Sequence, residues 1–132
     1  MNSKYVFKSK RLGFRVWTKG DLHEFGEINA DKDVMEFYPN PLTIEETEEF
    51  IDRLIAHYAK HGYQYFATEV LETHELIGFV GLAFQRYKTE FSPATDIGWR
   101  LKKSVWGKGY ATEGAERCLE FAFEDLKLKK VF

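Results

Sequence analysis

The feature of this sequence that most constrains its fold is a glycine-rich segment, SVWGKGYATEG, at residues 104–114. It follows a strand-like run and precedes a run with helical spacing of apolar residues. Gly107 and Gly109 can adopt backbone angles closed to other residues, so that consecutive amide N–H groups can converge on one point. The start of the next helix adds unpaired N–H groups, and Lys108 adds a cation. The segment therefore predicts an anion-binding turn between a strand and a helix.

Length and composition bound the class of protein. The chain has 132 residues, of which 44% are hydrophobic and 17% aromatic, and this predicts a single globular domain over residues 1–132. Its formal net charge of −2 argues against a broad basic surface for nucleic acid. We therefore expect no nucleic-acid partner, and the predicted anion site must be local.

The cysteine and histidine content indicates neither a disulfide framework nor a metal site. Cys118 is the only cysteine, and its apolar, helix-spaced neighbours favour a core position. The four histidines show no metal-ligand spacing, so we expect no metal. No apolar run is long enough to span a bilayer, and residues 1–4 do not begin a signal peptide. The expectation is a cytoplasmic protein without a membrane partner.

Hydrophobic periodicity predicts alternating strands and helices. In the first strand, Leu12, Phe14 and Val16 are expected to face the core. Thr18 and Thr43 are predicted helix caps, and His74 is predicted to take the left-handed conformation in a tight hairpin. The predicted strands are 11–17, 63–71, 76–85 and 94–101, and the predicted helices are 18–30, 43–61 and a third from 111 onward. The expected apolar face of the last helix comprises Ala115, Cys118, Leu119, Ala122, Phe123 and Leu126.

Two common phosphate-binding motifs fit the glycine segment poorly. A nucleoside-triphosphate loop needs a Ser or Thr after its Lys, and a dinucleotide loop needs a third glycine where Thr112 stands. The segment instead resembles the acetyl-CoA loop of the GNAT acetyltransferases, [Q/R]-x-x-G-x-[G/A], although Trp106 replaces the usual Gln or Arg. WGKGYATE is similar to the form found in the ribosomal-protein N-acetyltransferase branch. The runs at residues 11–22 and 34–39 resemble the same branch.

The resemblance covers about residues 11–132 and implies a mixed α/β fold. Its sheet would be mostly antiparallel and flanked by helices, with acetyl-CoA between two splayed parallel strands, one ending at Leu101 and one beginning near Lys129. The resemblance implies main-chain pairing of the pantetheine arm near Leu101 and Lys103. It also implies that amides of the glycine segment hold the pyrophosphate, namely those of Trp106, Gly107, Lys108, Gly109, Tyr110, Ala111 and Thr112.

The implied reaction is attack of a neutral primary amine on the acetyl-CoA thioester, which needs a proton acceptor and a donor for the developing oxyanion. Asp96 is the predicted catalytic carboxylate, with a surface charge or strand-end hydrogen bond as the alternative. Asp33, Glu36 and Tyr38 are predicted to bind the acceptor. The branch resemblance favours a protein N-terminal amine, while polyamines, aminoglycosides and amino acids remain open.

Relatives continue beyond the position of Phe132 with a strand, a helix and a final strand. On this ground we expect the domain to be C-terminally incomplete and to associate as a homodimer through the strand near Lys129. The same comparison leaves a second interpretation open, a catalytically silent CoA-binding or assembly module.

Overall fold

The structure is a computed structural model that describes residues 4–85, 94–128 and 131. The strands of the described chain are β1 (Phe7–Lys8), β2 (Leu12–Arg15), β3 (Tyr65–Val70), β4 (Leu76–Gln85) and β5 (Ala94–Leu101). The α-helices are α1 (Leu22–Ala30), α2 (Ile44–His61) and α3 (Tyr110–Glu120). Short 3-10 turns precede α1 (Lys19–Asp21) and follow β5 (Lys103–Val105), and a π-helical turn (Phe121–Asp125) extends α3.

The strands form one antiparallel sheet in the order β1-β2-β3-β4-β5. Within the described residues, β5 has a strand neighbour on its β4 side only. The mixed α/β architecture with an antiparallel sheet and flanking helices is as predicted. The expected splayed partner of β5 and the expected dimer contact fall on residues 129, 130 and 132, which lie outside the described residues.

One face of the sheet packs against α3. Strand alternation places Phe14 and Phe66 on this face, both fully buried, and Cys118 of α3 is buried against them. Gly114 lets the helix approach β4 closely, because a Cβ at this position would lie 3.0 Å from a methyl group of Val80. The close contact determines where the N-terminus of α3 stands beside the end of β5.

The other face packs against α1 and α2. Its core contains Trp17, Phe25, Ile51 and Phe79. The indole of Trp17 packs against the ring of Phe25 at a tilt of 37° and donates a 2.7 Å hydrogen bond to the carbonyl of Tyr65. This second core holds the segment between the two helices, residues 31–43, against the end of the sheet.

The predicted helix boundaries are largely confirmed. Thr43 caps α2 in a reciprocal capping box with Glu46, and Gly62 ends the helix in the left-handed conformation with φ of 77°. Asp21 closes the first turn by accepting from the amide of Thr18, although this turn is 3-10 rather than α. His74 has φ of 60°, as predicted for the hairpin.

Two core assignments were wrong. Val16 is 37% exposed and Trp17 is buried, because β2 ends at Arg15 and its alternation does not continue. Phe121 rather than Phe123 enters the core, since the π-helical turn rotates the end of the helix and leaves Phe123 at the surface. Among the described helices, none combines the length and apolar character needed to cross a bilayer.

Candidate functional site

A pocket of about 760 Å³ opens where β5 ends and the glycine segment begins. We call it the edge pocket. Two stretches distant in sequence form its walls: the turn after α1, and the run from the end of β5 through the loop into α3. The lining residues are Asp33, Val34, Glu36, Phe37, Tyr38, Trp99, Arg100, Leu101, Val105, Trp106, Gly107, Gly109, Tyr110, Ala111 and Thr112.

The glycine segment forms a concave arrangement of amides. Gly107 and Gly109 both have φ of 81°, which a side chain rarely tolerates, and Gly109 is the N-cap of α3. A Cβ at Gly107 would meet no atom within 4 Å, so the backbone angle, rather than packing, requires glycine there. The backbone N–H groups of residues 107–112 have no hydrogen-bond acceptor among the described residues. These amides at a helix N-terminus suit a phosphate anion.

Hydrogen bonds from Ser9 and Arg11, near the start of the chain, hold this loop in place, and we call this set of contacts the brace. Glu113, in the first turn of α3, accepts hydrogen bonds from the Ser9 hydroxyl, from the Arg11 amide at 2.8 Å and from Arg11 Nε at 2.6 Å. Arg11 Nη1 donates to the Lys108 carbonyl at 3.0 Å, and the guanidinium lies 4.4 Å from the centre of the Tyr110 ring. Arg11 therefore ties the turn before β2 to both sides of Gly109.

The end of β5 is tied to the loop and to the opposite wall. Trp106 Nε1 donates a 2.9 Å hydrogen bond to the Leu101 carbonyl. Lys103 forms an ion pair with Asp33 across the rim of the pocket, and its hydrogen bond to Asp33 raises the pKa of Lys103. These two contacts join the predicted cofactor residues with a predicted acceptor residue.

The predicted acceptor residues all line the edge pocket. Asp33, Glu36 and Tyr38 lie on the turn after α1, and Tyr38 is 46% exposed. Phe37 beside them is 92% exposed, and Trp99 on β5 is 51% exposed. An aromatic rim that stays open to solvent is typical of a ligand-binding surface.

Asp96 lies away from this pocket. It pairs with Ala83 in the middle of β5, five residues before Leu101, or roughly 16 Å along an extended strand. Because side chains alternate along a strand, Asp96 lies on the same face of the sheet as Arg100, and Leu101 lies on the opposite face. Burial raises the pKa of the Asp96 carboxyl. Among the described residues, the pocket lining does not include Asp96, Lys103 or Lys108.

Sequence reasoning missed three side chains of the site, Arg11, Trp99 and Arg100. Arg100 is 7% exposed; it lines the edge pocket, and its side chain packs on the face that carries α1 and α2. The sequence does contain a feature that points to Arg100, because this arginine stands between apolar residues at the end of a strand, directly before the glycine segment. Its partners could not be read from the sequence, since they come from α1, α2 and β4.

The residues present fit an acetyl-CoA molecule. The unpaired amides of residues 107–112 can bind the pyrophosphate, and the pocket continues from them to the end of β5 and the acceptor wall. No cluster of three or more potential metal ligands occurs in the described part of the chain. The arrangement can anchor a phosphate-bearing donor at one end and receive a second substrate at the other.

Comparison with known proteins agrees with this geometry. Residues 11–132 match the family described as the acetyltransferase (GNAT) domain. An uncharacterized N-acetyltransferase of Bacillus subtilis, YnaD, is 27% identical over 124 residues, covering 93% of this chain and 68% of that protein. The crystal structure of a GNAT-family acetyltransferase from Bacillus anthracis is 27% identical with a TM-score of 0.76, covering 94% of this chain and 69% of that one.

A second similar structure is a spermidine N-acetyltransferase from Vibrio cholerae in complex with CoA and spermine. It is 24% identical with a TM-score of 0.70, covering 92% of this chain and 69% of that one, and the likeness concerns the fold. The family match spans nearly the whole chain, and the relatives carry the same architecture. The chain belongs to the GNAT acetyltransferase family and is an N-acetyltransferase.

Proposed function

We propose that this chain transfers the acetyl group of acetyl-CoA to a primary amine bound in the edge pocket. The observation that carries the proposal is the row of unpaired amides at residues 107–112, at the N-terminus of α3. The same pocket is walled by the turn that holds Asp33, Glu36 and Tyr38. One continuous cavity therefore offers a phosphate anchor and a place for the acceptor.

The glycine segment is the proposed pyrophosphate site. The amides of residues 107–112, the α3 N-terminus and the nearby Lys108 all favour an anion. The backbone near Leu101 and Lys103 is proposed to pair with the pantetheine arm. The Leu101 carbonyl already accepts from Trp106, which orients that part of the main chain.

The reaction joins the amine nitrogen to the acetyl carbon and breaks the bond from that carbon to the CoA sulfur. The amine loses one proton, and the departing thiolate takes up one. Asp96 is the proposed acceptor of the amine proton. Its raised pKa suits a base, but its distance from the pocket requires that a water relay carry the proton.

The proposed acceptor is a protein N-terminal amine. The support is the WGKGYATE segment and the runs at residues 11–22 and 34–39, which resemble the ribosomal-protein N-acetyltransferase branch. The open aromatic rim formed by Phe37, Tyr38 and Trp99 would accommodate an extended peptide better than an enclosed cavity would.

The test of the cofactor site is calorimetric titration of Gly109→Val with acetyl-CoA. Forcing a β-branched side chain into the left-handed conformation costs at least about 1–2 kcal/mol, so we expect affinity to fall about tenfold or more. Gly62→Val is the matched control, because Gly62 has φ of 77°, no atom within 4 Å of its Cβ and no place in a described pocket. Equal affinity in Gly109→Val and wild type would contradict the assignment of the loop.

Turnover is tested by mass spectrometry of peptides with free N-termini for the addition of one acetyl group. We expect Asp96→Asn to lower kcat by about 10²-fold or more while leaving the affinity for acetyl-CoA unchanged. An unchanged kcat would remove Asp96 from the mechanism. Binding of acetyl-CoA with no acetylated product from any amine would instead indicate a silent CoA-binding module.

A further inference from the structure

Arg100 is a buried cation without a described counter-ion. Its side chain is 7% exposed, yet the guanidinium forms no ion pair with any described carboxylate. Buried charges in proteins are almost always paired, because removing a charge from water is costly. This arginine therefore has an unusual environment for a purely structural residue.

The guanidinium is fixed in place by neutral groups. Its Nη1 donates a 2.8 Å hydrogen bond to Asn29 Oδ1, and the Asn29 amide is oriented by its own bond to Thr47. Three aromatic rings surround the cation. The distances from Arg100 Cζ to the ring centroids are 4.6 Å for Tyr38, 5.3 Å for Phe50 and 5.1 Å for Phe79. Cation–π contacts offset part of the cost of burial but leave the positive charge uncompensated.

The donors of the guanidinium are incompletely used. Nε is buried and has no hydrogen-bond partner, and within the described residues the bond to Asn29 is the only one that the Arg100 side chain donates. Arg100 and Tyr38 line both the edge pocket and a neighbouring pocket beside α2. A guanidinium that is held in place and still has unused donors can bind a carboxylate through charge-assisted hydrogen bonds.

We propose that Arg100 binds a carboxylate of the acceptor, so that this enzyme acetylates amines that carry a carboxylate and disfavours polyamines. The inference rests on the proposed function. Arg100 belongs to the acceptor end of the pocket, since its ring contacts include Tyr38 on the turn after α1. The pyrophosphate has its own donors at residues 107–112. Of the two carboxylates on the acceptor wall, Asp33 is already paired with Lys103, so a polyamine would meet Glu36 and the unpaired buried charge of Arg100, which repels it.

The experiment compares matched acceptors that differ only in the carboxylate. One pair is Ala-Glu-Ala-amide and Ala-Gln-Ala-amide, which tests a side-chain carboxylate, and the other is alanine and alaninamide, which tests an α-carboxylate. In one of the two pairs, we expect kcat/KM for the carboxylate acceptor to be about 10- to 100-fold higher than kcat/KM for its amide, and also higher than kcat/KM for spermidine. The pair that shows the preference identifies the source of the carboxylate.

The variant Arg100→Met should abolish this preference, and Arg100→Lys should retain part of it. Arg117→Met is the matched control, because Arg117 also stacks on a phenylalanine, Phe7, and donates to a carbonyl, but lies outside the described pockets. Acetyl-CoA affinity and thermal unfolding report whether each variant has folded. If Arg100→Met loses the affinity for acetyl-CoA while remaining folded, Arg100 serves the cofactor and the proposal is wrong.

A binding measurement separates this inference from the proposed function. The acetylated peptides, N-acetyl-Ala-Glu-Ala-amide and its Gln counterpart, need no turnover to bind, and Trp99 beside Arg100 provides a fluorescence signal. Selective binding of the Glu peptide without acetyl transfer would support the Arg100 site and contradict the proposed function. Acetyl transfer with equal use of both members of each pair, or a preference for spermidine, would overturn the Arg100 proposal alone.

Discussion

The hydrogen bonds of the brace between Glu113 and the turn before β2 predict how much the fold loses in stability when Glu113 is replaced. Glu113 accepts three hydrogen bonds, from Ser9 Oγ, Arg11 N and Arg11 Nε. The Arg11 side chain is 41% exposed, so its ion pair is screened and contributes about 0.5 kcal/mol. Each of the other two bonds contributes about 1 kcal/mol. We therefore expect Glu113→Ala to lower the free energy of unfolding by about 2.5 kcal/mol.

For a domain of this size, that loss corresponds to a decrease of about 10 °C in Tm. Glu113→Gln keeps the shape but removes the charge, and we expect about half the effect. Glu120→Ala is the matched control on the same helix, because its 3.9 Å ion pair with Arg117 lies at the surface, where such pairs contribute little. Differential scanning calorimetry of the three variants and wild type measures these differences.

The same carboxylate predicts an acid sensitivity. Burial acts to raise the pKa of Glu113, but hydrogen bonds from Ser9 and Arg11, with the charge of Arg11, lower the pKa below its ordinary value of 4.5. A lowered pKa in the folded state stabilises the fold above pH 4.5 and ceases to do so as pH falls through the folded-state value. The difference in Tm between wild type and Glu113→Gln should therefore shrink on acidification. A Tm of Glu113→Ala equal to that of Glu120→Ala, or a difference independent of pH, would refute the reasoning.

Two further predictions follow from single contacts. Replacing Trp106 by Phe removes the hydrogen bond to the Leu101 carbonyl, which contributes about 1 kcal/mol. We therefore expect the Kd for acetyl-CoA, measured by calorimetric titration, to rise about fivefold. An unchanged Kd would show that this bond does not order the site. Burial raises the pKa of the Cys118 thiol to about 12. Iodoacetamide should therefore label Cys118 in urea but not in the native protein. Rapid labelling of the native protein would contradict the placement of Cys118 in the core.

The candidate site illustrates how far sequence reasoning reached. It predicted an anion-binding turn at Gly107 and Gly109, and the structure has both glycines in the left-handed conformation before α3; the anion itself stays a prediction. The predicted acceptor residues Asp33, Glu36 and Tyr38, carried over from the family resemblance, line the edge pocket, and their role stays a prediction. The role of Asp96 stays a prediction, since proximity in sequence to the glycine segment does not measure distance along an extended strand.

What the sequence determined by itself was local. The helix cap at Thr43, the end of that helix at residue 61 and the alternation of Leu12 and Phe14 follow from interactions within a few residues, and the structure contains each of them. The same alternation failed at Val16, where the strand ended earlier than the pattern indicated.

Only the tertiary structure decided which distant side chains meet. Arg11 and Glu113 are 102 residues apart in sequence, and Arg100 and Asn29 are 71 apart, yet each pair is hydrogen-bonded. No periodicity encodes such pairings, because they depend on how α1, α3 and the sheet pack together and on which faces they bury. The glycine turn before α3 could be inferred from its own residues, whereas the burial of Arg100 without a described counter-ion depends on the packing of the elements around it.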